Sequence, residues 1–154
     1  MHLAPKRIFS YLNNATVMSE LKTKKVIDLF ETKRLKKEID EKPLDFKSII
    51  ENTDLCICVT DAKGYFVAVN DNYCRVYGYS RYELVGKHFS IVVPGANVEQ
   101  LKKLHDKFIQ DKYEILRNWE VVSKTGQRIK IQVDAGYTEK IDGKPHKITF
   151  VMPE

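Results

Sequence analysis

The sequence predicts an α+β domain preceded by a helical segment. Strand-like runs fall in two groups: a close pair, Leu55 to Thr60 and Tyr65 to Val69, and three longer runs, Glu114 to Ser123, Arg128 to Tyr137 and Lys147 to Met152. Between the groups the periodicity turns helical, in short pieces punctuated by Gly78 and Gly86 and then one longer helix. Ahead of both, Ser19 to Lys42 contains neither glycine nor proline and is dominated by Glu, Lys and Leu.

A chain of 154 residues, 43% apolar and 31% charged, is long enough for one domain with a real core. It carries no apolar run of the ~20 residues a membrane span requires, and its first residues lack a secretory signal pattern, so the expectation is a cytoplasmic protein. Cys56, Cys58 and Cys74 show no framework or zinc spacing and read as small core residues. The net charge of +5 sits mostly in residues 1–44, where ten Lys/Arg meet six Asp/Glu. Acidic and basic residues interleave there as on a solvated helix face, and no nucleic-acid partner is expected.

Each element has a local cause. In the Ser19 to Lys42 helix, Leu21, Val26, Ile27, Phe30, Leu35 and Ile39 form an apolar stripe. A shorter amphipathic helix is expected from Pro5 to Leu12. Pro43 closes the segment, and Asp45 is placed to cap a short helix from Phe46 to Glu51. Leu55 to Val59 and Tyr65 to Val69 are apolar on both faces, as in a sheet covered on both sides. Asp61-Ala62-Lys63-Gly64 turns the chain between them, and Asn70 can cap the helix that follows. Tyr73, Tyr77, Tyr79 and Tyr82 supply rings to fill the space between short helices. The longer helix, Asn97 to Gln110, has a stripe of Val98, Leu101, Leu104, Phe108 and Ile109, and His105 falls on that apolar face. In Arg128 to Tyr137, Ile129, Ile131, Val133, Ala135 and Tyr137 alternate with Arg128, Lys130, Gln132 and Asp134, which predicts one wet face.

No catalytic arrangement is legible: there is no nucleophile elbow, dinucleotide fingerprint, His-Glu-x-x-His or Cys-x-x-Cys. The chain reads as non-enzymatic.

The stretch from Val59 to Lys87 carries Thr60-Asp61, Gly64, Asn70, Gly78-Tyr79-Ser80, Glu83-Leu84 and Gly86-Lys87. At these spacings it resembles the first half of a PAS domain, the sensor module of signalling proteins, and the likeness covers roughly Asp45 to Val151. The resemblance implies a five-stranded antiparallel sheet with the first strand central, short helices and one longer helix over one face, and residues 1–44 as a helical extension to a PAS domain of residues 45–154. It implies a sensory or protein-interaction module in signal transduction, acting through dimerisation or a signalling partner, with room for a small ligand in the core. With inward periodicity, it places Cys58, Val69, Tyr73, Tyr77, Phe89, Leu101, His105, Trp119, Ile131 and Val133 nearest to such a pocket.

Cofactor-bearing relatives are compared residue by residue. Flavin-binding members carry Gly-x-Asn-Cys-Arg-Phe-Leu; here Cys74-Arg75 stands in a different helix without the flanking residues. Where photoactive yellow protein ties its chromophore to a cysteine after Val-Ala-Pro, this chain has Gly95 after Val92-Val93-Pro94. His105-Asp106-Lys107-Phe108-Ile109 is similar to the axial-histidine run of haem-binding members, so the alternative is a haem gas or redox sensor ligated by His105. The main reading carries no cofactor and no metal.

Two expectations concern partners and output. The stripe Leu21, Val26, Ile27, Phe30, Leu35 and Ile39 is expected to build a homodimer, with the alternative that the helix folds back over its own sheet. At the end, Met152-Pro153-Glu154 replaces the Asp-Ile-Thr of members that drive a kinase, and proline is expected to bar the strand from continuing.

Overall fold

A computed structural model describes residues 26–154. Leu21 and the Pro5 to Leu12 helix therefore lie outside the described residues. Helix α1 (Leu29–Glu41) is followed by a 3-10 turn (Pro43–Asp45) and a single helical turn, α2 (Phe46–Ile49). Strands β1 (Cys56–Asp61) and β2 (Phe66–Val69) lead to α3 (Asp71–Tyr77) and α4 (Arg81–Leu84). Two 3-10 turns, Phe89–Val92 and Gly95–Asn97, precede the long helix α5 (Val98–Asp111). Strands β3 (Arg117–Val122), β4 (Arg128–Thr138) and β5 (His146–Pro153) complete the chain. Among the described residues no helix is long and apolar enough to cross a membrane.

All neighbours in the five-stranded sheet are antiparallel, in the order β2-β1-β5-β4-β3. The centre is therefore β5, not β1 as expected. The last strand inserts between β1 and β4 and gives each a full ladder, while β1 stands one place from the edge. Pro153 belongs to β5 despite the expectation that it would end the strand early. It faces Ile131, and the N–H of Glu154 donates to Lys130 O at 2.9 Å, so the ladder bond there falls to a neighbour and the missing proline N–H costs nothing.

Strand periodicity divides the apolar residues into two layers. Ile57, Val59, Ala68, Ile148 and Phe150 point to one face with Ile27, Leu35, Ile39, Ile49 and Ile50. Cys56, Cys58, Val69, Ile131, Val133 and Val151 point to the other with Tyr73, Tyr77, Leu84 and Val92. Helix α1 covers the first, outer face; α3, the 3-10 turns and α5 cover the second, inner face.

Among the described residues helix α1 begins at Leu29, where Asp28 caps it, its carboxylate accepting from the N–H groups of Phe30 at 2.9 Å and Glu31 at 3.2 Å. The expected start at Ser19 lies outside the described residues. Three of the six residues expected between chains, Ile27, Leu35 and Ile39, are buried instead against the sheet of their own chain, each worth roughly 1.5–3 kcal/mol. Val26 and Phe30 remain 71% and 89% exposed. The fold-back is tied by polar groups as well. Lys36 Nζ meets Asp134 Oδ2 at 3.2 Å, Thr138 Oγ1 donates to Asp40 Oδ1 at 2.8 Å, and Ile27 N–H donates to Gln132 Oε1 at 2.9 Å. The polar face of β4, expected to be wet, is thus covered over Gln132 and Asp134, which serve as anchors for the helix. Gly136 makes the approach possible: a Cβ there would stand 2.8 Å from the Lys36 side chain.

Asp45 stands ahead of α2 without a side-chain capping bond. The preceding 3-10 turn holds it at φ −99°, ψ 11°, outside the extended conformation from which a carboxylate reaches forward. Asn70 does far more than cap α3. Its Oδ1 accepts from Tyr73 N–H at 2.9 Å and Ile57 N–H at 3.0 Å, and its Nδ2 donates to Ile50 O at 2.7 Å and Leu55 O at 2.8 Å. All four bonding positions of one buried amide are filled, so removing it costs well beyond the ~1 kcal/mol of a lost cap.

Candidate functional site

The inner face of the sheet carries a partly open cavity of ≈110 Å³ beneath α3, the 3-10 turns and α5. Its position follows from register. Cys58, Thr149 and Ala135 share one cross-strand row, and Thr60, Lys147 and Tyr137 the next. Helix α5 lies across these rows because His105 and Phe108 form its buried face.

The walls are mainly apolar, from Val92, Leu101, Leu104, Trp119, Val121, Ile131, Val133 and Val151, with Tyr73 and Tyr77 at one side. Those two rings stack at 4.0 Å with an interplanar angle of 11°, and Phe66 packs edge-on to Tyr73 at 5.9 Å. Burial pushes the Cys58 thiol up to about 11, so it is a neutral wall group and no nucleophile.

The opposite end is polar. Lys147 Nζ lies 3.2 Å from Glu114 Oε1 and 3.1 Å from Oε2, the two side chains being 12% and 9% exposed. The same ammonium stands 4.7 Å from the centroid of the Phe108 ring. Thr60, the cross-strand partner of Lys147, is 3% exposed, and among the described residues its Oγ1 has no hydrogen-bond partner. An unpaired buried hydroxyl is costly, which marks this end as incompletely satisfied.

His105 closes the polar end. Its Nε2 lies 3.0 Å from Asp61 O, and since a carbonyl only accepts, Nε2 carries the proton. Burial holds its pKa below the ordinary histidine value, the bond to Asp61 opposing the shift. Asp61 is fixed in turn: its Oδ1 accepts from Lys63 and Tyr65 N–H groups, both at 3.0 Å. Gly64 completes this turn at φ +91°, where a Cβ would strike the Phe89 ring at 2.7 Å. Phe89 then fills the gap beside His105, their centroids 5.4 Å apart.

Haem does not fit here. His105 Nε2 already bonds Asp61 O, and ≈110 Å³ is well below the ~300–1,000 Å³ of sites for drug-sized ligands, let alone a macrocycle.

Of the ten residues expected near a pocket, the structure brings Cys58, Tyr73, Tyr77, Phe89, Leu101, His105, Trp119, Ile131 and Val133 to the cavity wall. Val69 lies in the same apolar layer without lining the cavity. Sequence reasoning missed the apolar Val92, Leu104, Val121 and Val151 and the polar Thr60, Glu114, Lys147 and Thr149. Lys147 and Thr149 share a face with Val151 by simple alternation, a signal available in the sequence. Glu114 had none: the expected strand from Glu114 starts only at Arg117, leaving 112–116 as a connector.

Comparison with known proteins gives the following. The family model described as the PAS fold matches residues 44–153. No curated protein matches the sequence. Solved structures that resemble the chain include the PAS domain of an HTR-like protein from Haloarcula marismortui, at 20% identity and TM-score 0.59, covering 79% of this chain and 99% of that one. A PAS domain from a two-component sensor histidine kinase matches at 21% identity and TM-score 0.59, covering 74% and 98%. A third is the PAS domain, in complex with ethanol, of a LuxR-family transcriptional regulator from Burkholderia thailandensis, at 11% identity and TM-score 0.56, covering 71% and 96%. At these identities the likeness is one of fold.

Proposed function

The chain belongs to the PAS-fold family, and from that premise we propose that it is a cytoplasmic sensory module of signal transduction that couples a small ligand in its core to the packing of α1. Residues 45–154 are the sensing domain and residues 1–44 the extension that carries the signal. The observation behind this reading is that β1 and β5 face the cavity on one side and α1 on the other. Cys58 and Thr149 line the cavity, while their chain neighbours Ile57, Val59, Ile148 and Phe150 pack in the layer of Leu35 and Ile39. A ligand that shifts these strands biases a two-state packing of the helix. The ethanol held by the Burkholderia thailandensis domain sets the scale of ligand such a cavity accepts.

Output leaves through the start of α1 and the residues just ahead of it, where Val26, Leu29 and Phe30 are exposed. A homodimer or a signalling partner docks on these residues, in place of the full stripe, since Ile27, Leu35 and Ile39 are occupied within the chain. Within the cavity His105 is engaged with Asp61 O and Glu114 with Lys147.

The test is an amide NMR titration of the full chain with 1-propanol. Saturable shifts are expected at Val133 and Val151 beside the cavity and, in the same titration, at Ile148, Phe150 and Leu35 across the sheet. Shifts that never saturate, or that stop at the cavity wall, would sink the coupling.

A further inference from the structure

The polar end of the cavity has a cation, a hydroxyl with no partner among the described residues and a carboxylate supplied from a connector. We propose that Glu114 is an internal stand-in for the true ligand, a short-chain monocarboxylate that displaces it from Lys147. This rests on reading the cavity as a ligand site and names the ligand's chemistry.

The argument begins with charge. Lys147 and Glu114 are both largely buried, a placement tolerated only because they neutralise each other. A second anion added beside the intact pair would leave a net buried negative charge. An anion that replaces Glu114 leaves the charge count unchanged. Thr60 Oγ1 lines the same cavity and has no hydrogen-bond partner among the described residues, so a ligand carboxylate that reached it would give that hydroxyl an acceptor, a bond the resting protein does not make.

Displacement is feasible because of where Glu114 stands. Lys147 is fixed in the ladder of β5, paired with Thr60 on one side and Tyr137 on the other. Glu114 sits on the connector between α5 and β3, between Tyr113 and Ile115, which are 72% and 70% exposed. A swing of this connector carries the Glu114 carboxylate into water, where it needs no partner. The cation stays and the anion is exchangeable.

Size and shape define the rest of the ligand. An apolar cavity of about 150 Å³ admits benzene, so ≈110 Å³ suits an alkyl tail of about four heavy atoms or fewer, with the ligand's carboxylate taking the place that Glu114 vacates. The wall away from Lys147 is Val92, Leu101, Trp119, Val121, Ile131 and Val133, which suits an unbranched or singly branched alkyl tail and has no partner for a second charge.

The experiment uses calorimetry on the full chain with sodium butyrate and with butyramide, its neutral counterpart of similar shape, for wild type and Glu114→Gln. Removing the tethered competitor is expected to tighten butyrate binding about tenfold or more, because an intramolecular carboxylate competes at high effective concentration. Butyramide is expected to change little, and Glu114→Gln combined with Lys147→Met is expected to lose butyrate selectively. A gain of affinity cannot arise from a misfolded variant. Butyramide bound with butyrate no tighter in Glu114→Gln than in wild type would overturn the carboxylate assignment and leave the ligand-site reading standing. Failure of both probes in both proteins would remove the ligand-site reading itself.

Discussion

The two faces of the sheet are built from the same five strands and are finished differently. On the outer face, α1 meets β1, β4 and β5 through fully buried Leu35 and Ile39, and each polar group it covers on β4 has a partner: Asp134 with Lys36, Thr138 with Asp40, Gln132 with Ile27 N–H. On the inner face the helices leave ≈110 Å³ unfilled, bury an ion pair and leave Thr60 Oγ1 without a partner among the described residues. Close packing is the default of protein interiors, so a face that departs from it beside one that does not points to a site and not to a generally loose core. The outer face holds the helix in place; the inner face gives up stability for space.

The largest expected effect breaks the contrast by making matched truncations. Leu35→Ala removes a side chain from a filled layer and is expected to cost about 3–5 kcal/mol, with loss of α1 from the sheet. Leu104→Ala enlarges a space that already exists around a half-buried side chain and is expected to cost less than half as much. Urea unfolding with constant m-value measures both, and equal losses would erase the distinction between the faces.

A smaller effect sharpens it in the opposite direction. Adding one methylene by Val133→Ile extends a side chain into the cavity, and the gain in buried apolar surface offsets any adjustment, for a change between about 0 and +0.8 kcal/mol. The same addition at Val59→Ile, in the filled outer layer, is expected to cost about 1–3 kcal/mol through overpacking. Thermal melts of both variants decide it; destabilisation by Val133→Ile as large as by Val59→Ile would mean that the cavity has no usable room.

Much of this was legible in the sequence, for definite reasons. The elements of the sheet were, because alternation in Arg128 to Tyr137 and the doubly apolar runs at Leu55 and Tyr65 are local signals. Most of the cavity wall was as well, since residues such as Cys58, Ile131 and Val133 inherit their direction from strand period. What failed was non-local. The destination of the apolar stripe depended on a partner surface, and Gly136, whose missing side chain admits Lys36, looks like any strand glycine until the helix is placed on it. The Lys147–Glu114 pair joins residues 33 apart, and nothing near either one announces the other. Asn70 reads as a helix cap because that bond is local; its bonds to Ile50, Leu55 and Ile57 appear only in the fold.

The smallest expected effect concerns pH and again separates the faces. The inner face holds His105 as a neutral ring with its Nε2 proton on Asp61 O, and burial lowers its pKa from the usual 6.5, with the nearby Lys147 and His88 charges acting the same way and Asp106 opposing them. A histidine whose folded pKa lies below its unfolded one contributes stability that is present above pH ~6.5 and lost as the pH falls through that value toward the folded pKa. The unfolded chain takes up the proton there and the native state does not. Stability should therefore decline as the pH is lowered from about 7 to 5. His88, whose pKa is lowered by its own burial, adds to the same slope. The substitution His105→Gln keeps an amide N–H for Asp61 O and removes the titration, so melting temperatures for this variant should fall less over that range than for the wild type. Leu35→Ala removes no titrating group, so it should lower the melting temperature while leaving the wild-type pH slope in place. If His105→Gln leaves the wild-type pH slope unchanged, the ring is not held neutral by its site and the polar end of the cavity is wetter than the packing around it indicates.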